Sequence, residues 1–459
     1  MLERSARLPQ AVEAYRRALE YDRRSPALLV HLGAAHAKLG QSDRALHAFT
    51  KALALDPEHP EALRWVARLQ IAQGRFDEAV KVYERLARIP PKDQLILSTL
   101  ADLYVLQGRI PEAIALYEEL IDAFGSSSQL HFNLGVLYGR ADQFKEALSE
   151  LSRALELSPE SLAIRIALGV TYELSGAFDH AAAHYEEAIR LDPFNARLYH
   201  RTAQALLSGR RFSEAARMYQ AALDLSPKDM EAIMGLVRVW LAQEQYGRAE
   251  SFLARQLSTL GDQPELYVAL GIVYREAAQH QEALRAFERA IRQQADYAQA
   301  HFYLAAQLDE LGRRAAARAW LRRTLELDPN HADAMNYLGY LNAEDGVQLE
   351  EAERLIEQAL ELDPDNGAYL DSLGWVYYKM GRIDEAIAQL ERAAKFLSTD
   401  AVLFDHLAEA YLKQQDIERA RRSWERALQL APDNLILQEK LNHLPRSPST
   451  VAPKPPLSP

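Results

Sequence analysis

Apolar and small side chains return along this 459-residue chain at a fixed interval of 34 residues. With Pro26 as position 1, repeats start at residues 26, 60, 94, 128, 162, 196, 230, 264, 298 and 332 without insertion or deletion. One extra residue falls in the stretch Gly346 to Leu349, and two further repeats start at 367 and 401. Within each repeat the apolar or small positions are 4, 7, 8 and 11, then 20, 24 and 27. These are the i, i+3, i+4, i+7 spacings of one helix face, so the pattern predicts two helices per repeat and twelve complete repeats.

The sizes at these positions are as regular as their spacing. Position 20 is alanine in every complete repeat, from Ala45, Ala79 and Ala113 to Ala386 and Ala420, and Ala11 matches it in a partial repeat before them. Position 8 is glycine or alanine, with Val237 as the departure. Glycine inside a helix costs about 1 kcal/mol relative to alanine, so its recurrence predicts close backbone approach, and Gly374 is expected where the two helices of its own hairpin touch. Position 24 supplies bulk to fill the gap: Phe49, Tyr83, Tyr117, Tyr185, Tyr219, Phe287 and Trp424. Position 15 is often glycine, as in Gly40 and Gly381, where the first helix should end in a left-handed turn. Position 32 is proline in eight of the twelve repeats, which stops the second helix and suits the start of the next.

This combination, L-G-x-x-Y, then G, A-x-x-x-F/Y, A and P at 34-residue spacing, resembles the tetratricopeptide repeat over residues 8 to about 434. The resemblance implies an all-α fold, a right-handed superhelical solenoid of antiparallel helix hairpins whose first helices line a concave groove. It also implies non-catalytic binding of proteins or extended peptides. Physics reaches the stacking independently: one hairpin exposes more apolar face than it can cover, so each leans on its neighbours.

The expected organisation is a half repeat at 1–25, repeats at 26–434, a capping helix at 435–444 and a disordered Pro/Ser-rich tail at 445–459. In the cap, Leu435, Leu437 and Leu441 are expected against the last hairpin, with Gln438, Glu439 and Lys440 facing water. The segment "LPQAVEAYRRALEYD" has second-helix spacing without a preceding partner, so the start reads as truncated or internal, the alternative being that the lone helix serves as a cap. Compartment stays open on that expectation: cytoplasmic as given, periplasmic or envelope if a signal precedes Met1. The repeat at 230–263 fits worst, with Val237, Glu244, Gln256 and Gly261 at four defining positions, and is expected to be the soft joint.

Composition narrows the chemistry. Hydrophobic residues are 48% and charged residues 26%, an ordinary soluble balance, and the net charge of −12 argues against nucleic acid as a partner. The absence of cysteine excludes disulfides, Cys-ligated zinc and a thiol nucleophile. No 18-residue apolar run, phosphate-binding glycine loop, G-x-S-x-G elbow or H-E-x-x-H motif occurs, so neither a membrane span nor a cofactor is expected. His180 and His184 share a helix face without an obvious third metal ligand, and acid pairs such as Glu118–Glu119 and Glu186–Glu187 read as solvated surface.

Candidate function lies at positions the scaffold does not dictate. The resemblance assigns positions 2, 5, 9, 12 and 13 to the groove, and the last repeats place Phe302, Asn336, Tyr340, Asp371, Trp375, Tyr378, Lys379, Asp405 and Glu409 there. The expectation is a groove that stacks apolar side chains of a basic, extended peptide while the acids steer it. The competing expectation is that Trp375 and Tyr340 pack against neighbouring first helices. Arg64, Arg68, Arg140, Arg197 and Arg238 read as scattered bases. A carboxylate clamp of Lys and Asn at positions 5 and 9 is not met by Val30 and Ala34, Arg64 and Arg68, or Ser98 and Asp102, and of an asparagine ladder at position 6 the first six repeats contain only Asn133. The motifs "NYLGY" and "YLDSLGWVYYKMGR" resemble those of bacterial envelope and secretion-associated members, which implies a scaffold in assembly or export. The alternative is a substrate-selecting arm of an enzyme, such as a glycosyltransferase, whose catalytic part is outside this chain.

Overall fold

The computed structural model describes residues 7–444, and the proline-rich stretch 445–459 lies outside the described residues. Among them are 26 α-helices and no strand. First helices begin at Pro26, Pro60, Gln94, Ser128, Leu162, Ala196, Met230, Pro264, Ala298, Ala332, Gly367 and Ala401. The chain forms two compact units, Met1–Val239 and Trp240–Pro459, which divide inside the helix Met230–Ala242. Within each unit, the helices wholly inside it pack in chain order, every first helix on its own second helix and that one on the next first helix. The fold is thus an all-α solenoid in which sequence neighbours are space neighbours. No helix among the described residues is long and apolar enough to cross a membrane.

The position-20 alanine is 0% exposed in all twelve hairpins, and Ala11 is 2% exposed. Opposite it the bulky position 24 closes on position 8. A Cβ added to Gly169 would lie 2.3 Å from the Tyr185 ring, and one on Gly374 would lie 2.6 Å from Leu390 of the same hairpin. Both distances are closer than real Cβ contacts, so these helices approach by dispensing with a side chain.

Position 24 also reaches position 6 of the following first helix: Phe49 stacks on Trp65 at 5.9 Å and Phe287 on Tyr303 at 5.8 Å. Tyr219, fully buried, presses on Gly235 of the following first helix, where a Cβ would sit 2.2 Å from the ring. Gly235 is position 6, not 8, so the contact links successive hairpins. Burial pushes the Tyr219 phenol pKa up, and its hydroxyl has no hydrogen-bond partner.

Every hairpin turn shares one geometry. Position 15 has positive φ in all twelve: seven glycines, and also Asp142, Arg210, Glu244, Ala278 and Gln415 at φ 56–68°. In each, the position-16 N–H (Val347 in the hairpin with the insertion) donates back to the position-11 carbonyl, as from Gln41 to His36 at 3.0 Å and Arg382 to Tyr377 at 2.9 Å, the closing bond of a Schellman turn. The extra residue near 346 is absorbed by a second left-handed residue, Gln348 at φ 50°, beside Gly346 at φ 66°. Tyrosines at position 11 tie hairpins together from this end: Tyr104 donates to Glu84 at 2.8 Å, Tyr138 to Glu118 at 2.5 Å and Tyr411 to Glu391 at 2.6 Å.

Two stability measurements check this geometry. Gly235→Ala is expected to cost about 1–3 kcal/mol by overpacking, although a surface-type position would tolerate alanine; an unchanged urea midpoint would mean Tyr219 does not press there. Ala278→Gly relieves a left-handed conformation that costs about 1–2 kcal/mol at a non-glycine residue, partly offset by chain entropy of about 0.5–1 kcal/mol. A small rise in midpoint, worth up to about 1 kcal/mol, is expected, and a fall of that size refutes the strain.

Candidate partner-binding face

Four successive first helices of the C-terminal unit, Ala298–Glu310, Ala332–Glu344, Gly367–Lys379 and Ala401–Lys413, carry all nine sequence-predicted residues. Serial hydrogen bonds join them. Tyr337 donates to Asp309 at 2.9 Å, Tyr369 to Asp333 at 2.6 Å, and the Trp375 indole N–H to Glu344 at 2.6 Å. His406 Nδ1 lies 2.9 Å from Asp371, and Tyr378 donates to Glu409 at 3.4 Å. Each bond spans one repeat, so each carboxylate is held by the neighbouring first helix.

Trp375 is the centre of this arrangement. Its ring lies parallel to Tyr378 at 4.7 Å and to His406 at 4.1 Å, with the Lys379 ammonium 4.8 Å from its centroid. It is only 9% exposed. The side chain therefore packs between hairpins, and the rings left half-buried at the surface are Phe302, Tyr340 and Tyr378. Phe302 stacks on His331 at 4.9 Å, while Asn336 is half-buried with its Oδ1 unpartnered. Burial, then the charges of Glu344 and Asp371, push the Tyr340 hydroxyl pKa up to about 12. Burial and Glu409 do the same for Tyr378, also to about 12.

The far end corrects the expected cap. Lys440, read as facing water, donates to Asp405 at 2.7 Å and Glu409 at 2.9 Å, and Trp424 donates to Asp405 at 2.7 Å. Burial works against the Lys440 charge, yet its two carboxylate partners outweigh it and raise the pKa. Leu435 is 69% exposed, and Leu444 is buried on the last hairpin instead. His331, Tyr337, His406 and Lys440 escaped sequence reasoning. Their signal is a partner about one repeat away, an acid for Tyr337, His406 and Lys440 and the Phe302 ring for His331, visible only once the stacking is known.

No group of three His, Asp or Glu among the described residues could hold a metal ion. His180 and His184 both stack on Tyr172, at 5.1 and 5.4 Å, and burial lowers the His184 pKa. The face offers aromatic surface, fixed carboxylates and a few free polar atoms.

Sequence models described as Tetratricopeptide repeat match residues 40–103, 206–270 and 346–402, residues 98–141, 132–196 and 268–332, and residues 401–434. The TPR repeat-containing protein PA4667 of Pseudomonas aeruginosa is 28% identical over 151 residues, 32% of this chain and 26% of that protein. Protein O-mannosyl-transferase Tmtc3 of Drosophila melanogaster is 28% identical over 159 residues, 35% of this chain and 17% of that protein. The matched part thus spans about a quarter or less of either relative. Among solved structures, the APC/C hetero-tetramer Cut9-Hcn1 aligns at TM-score 0.47 and 16% identity, covering 96% of this chain and 94% of that one. Naa15/Naa10 bound to HypK-THB aligns at 0.45 and 16%, covering 96% and 77%.

The packing of Trp375 predicts a stability effect. Trp375→Ala should lose about 3–5 kcal/mol, as expected for a buried aromatic ring. Trp375→Phe keeps the stacking and loses the hydrogen bond to Glu344, about 1.5–3 kcal/mol for a charged acceptor. Urea unfolding followed by far-UV circular dichroism checks the order; an alanine variant as stable as wild type would place the ring at the surface.

Proposed function

The chain belongs to the tetratricopeptide repeat family, whose repeats make protein-interaction scaffolds, and from that premise we propose that the C-terminal face receives an extended protein segment bearing basic and apolar side chains. Charge carries the reading. The four first helices hold seven acids against two lysines. Several of those acids are held by neutral donors, Tyr337, Tyr369, Trp375 and Tyr378, which fix a carboxylate without cancelling its charge. Beside them, Phe302, Tyr340 and Tyr378 give apolar side chains a ring to stack on. Arg314 lies 3.5 Å from Asp309 and 3.9 Å from Glu344, Arg275 lies 3.8 Å from Glu310, and Lys440 pairs with Asp405 and Glu409. Asp333 and Asp371 are therefore the acids of this face with no lysine or arginine against them among the described residues, and they would steer a cation to the Ala332–Glu344 and Gly367–Lys379 helices.

The motifs similar to bacterial envelope and secretion-associated members, together with the bacterial relative, support a scaffold in envelope assembly or export. A second reading, the substrate-selecting arm of an enzyme whose catalytic part is elsewhere, draws on the match to Tmtc3.

A photoreactive residue at position 340 of the full chain tests the binding face in cells, with position 326 on an exposed second-helix surface as control. Protein adducts are expected at 340 and not at 326. A catalytic subunit as the adduct would favour the second reading, and equal or absent labelling at both positions would overturn the face.

A further inference from the structure

A cleft of about 420 Å³ opens in the N-terminal unit between two second helices, Leu8–Tyr21 and Ser42–Leu55, over the first helix Pro26–Lys38. Its floor is apolar: Leu29 and Ala48 are buried, and Leu19 and Leu32 are half-buried. Leu29, Leu32 and His36 are positions 4, 7 and 11, on the helix side turned away from positions 2, 5, 9, 12 and 13. The cleft is therefore distinct from the first-helix face on which partner residues were expected.

The same positions bound a smaller space in the C-terminal unit. There Tyr267, Leu270, Tyr274, Ala286 and Arg289 line about 170 Å³. Tyr274 donates to Glu250 of the preceding second helix at 3.0 Å, and Arg289 lies over the Tyr267 ring at 5.4 Å, so rings and guanidinium take up the room. In the N-terminal cleft Leu29 and His36 replace the two tyrosines. Arg16 stands in the register that Glu84, Glu118 and Glu391 hold in later hairpins, so no tyrosine to glutamate tie forms and the space stays open.

Charge gives that space a sign. Arg16, Arg44, His47 and Lys51 are exposed at its rim, against one acid, Asp43. Arg16 and Lys51 make no ion pair among the described residues. Arg44 donates to Gln41 Oε1 at 3.3 Å, the atom that also holds the buried His36 by its Nδ1 at 2.7 Å. Apolar clefts of about 300–1,000 Å³ with a few convergent polar groups are the usual form of a small-molecule site.

We propose that this cleft binds a small single-chain amphiphile with an anionic head, its alkyl chain laid on the leucines and its head among Arg16, Arg44 and Lys51. Burying the chain supplies affinity in proportion to its length, and the three cations select the head. The inference is independent of the C-terminal face, whose acids would repel such a ligand.

Equilibrium dialysis of the full chain against sodium decanoate, below its micelle concentration, tests it. One saturable site is expected, with an affinity that falls as salt rises. Octanoate should bind about tenfold more weakly, because two fewer CH₂ groups are buried. Decyl sulfate should bind comparably and decyltrimethylammonium at least about tenfold more weakly than decanoate. His36→Tyr restores the tyrosine that Tyr104, Tyr138 and Tyr274 supply elsewhere, and by filling the cleft it should lower decanoate affinity at least about tenfold. Arg16→Glu/Lys51→Glu, at exposed positions, should do the same, whereas the exposed Arg323→Glu of the other unit should bind as wild type does. Circular dichroism checks the fold of each; if the tyrosine variant does not fold, the charge variant decides. Non-saturable uptake, equal binding of the cationic amphiphile, or undiminished binding by the folded variants would overturn the proposal. So would co-sedimentation with anionic phospholipid vesicles in the absence of decanoate binding.

Discussion

A single methyl group sets the pitch of this molecule. With the position-20 alanine wholly buried in all twelve hairpins, the two helix backbones stand as close as an alanine permits, and any larger side chain there would have to move a helix. The bulk displaced from that position goes to position 24, whose ring or isobutyl group closes on position 8. Because both contacts recur every repeat, each hairpin presents the same shoulder to the next, and stability accumulates through neighbours.

Conserved geometry at the seams frees the first-helix face to vary, but it does not leave that face unsupported. Donor–acid bonds cross from one repeat to the next on both sides of the hairpins: Tyr138 to Glu118 near the turns, Tyr337 to Asp309 and Trp375 to Glu344 on the candidate face. Acids on the candidate face are thereby pre-positioned. A carboxylate already held by a tyrosine or indole loses little side-chain entropy when a cation arrives, which is how a stack of soft repeats can still offer ordered charge.

Much of this was legible in the sequence because it is periodic. Helix number, the left-handed turns at glycine and the close contact at Gly374 all follow from local pattern. What stayed hidden depends on the neighbour's register. The contact of Tyr219 with Gly235 joins position 24 of one hairpin to position 6 of the next, so no single repeat announces it. The five non-glycine left-handed residues at position 15 show that the Schellman bond and the packing behind it enforce the turn even where the side chain resists. Trp375 sits at a position free of its own hairpin, yet the histidine that covers it belongs to the next one. Lys440 looked solvated because its partners lie about one repeat away, at Asp405 and Glu409.

Charge separates the two faces more sharply than shape does. Seven acids stand against two lysines on the four first helices of the candidate face, and six arginines against three acids on the five from Pro60–Ala72 to Ala196–Ser208, so the sign of the first-helix face changes along a net negative chain. Solubility asks for mixed charge and no large apolar patch, and the exposed Leu106 and Leu174 are separated by a helix that carries the exposed Arg140. The half-buried side chains of that helix serve folding: Phe132 and Val136 pack against the core of Leu151, Ala154, Ile164 and Leu168, so the same first-helix face that varies in charge also closes the seam to the next hairpin.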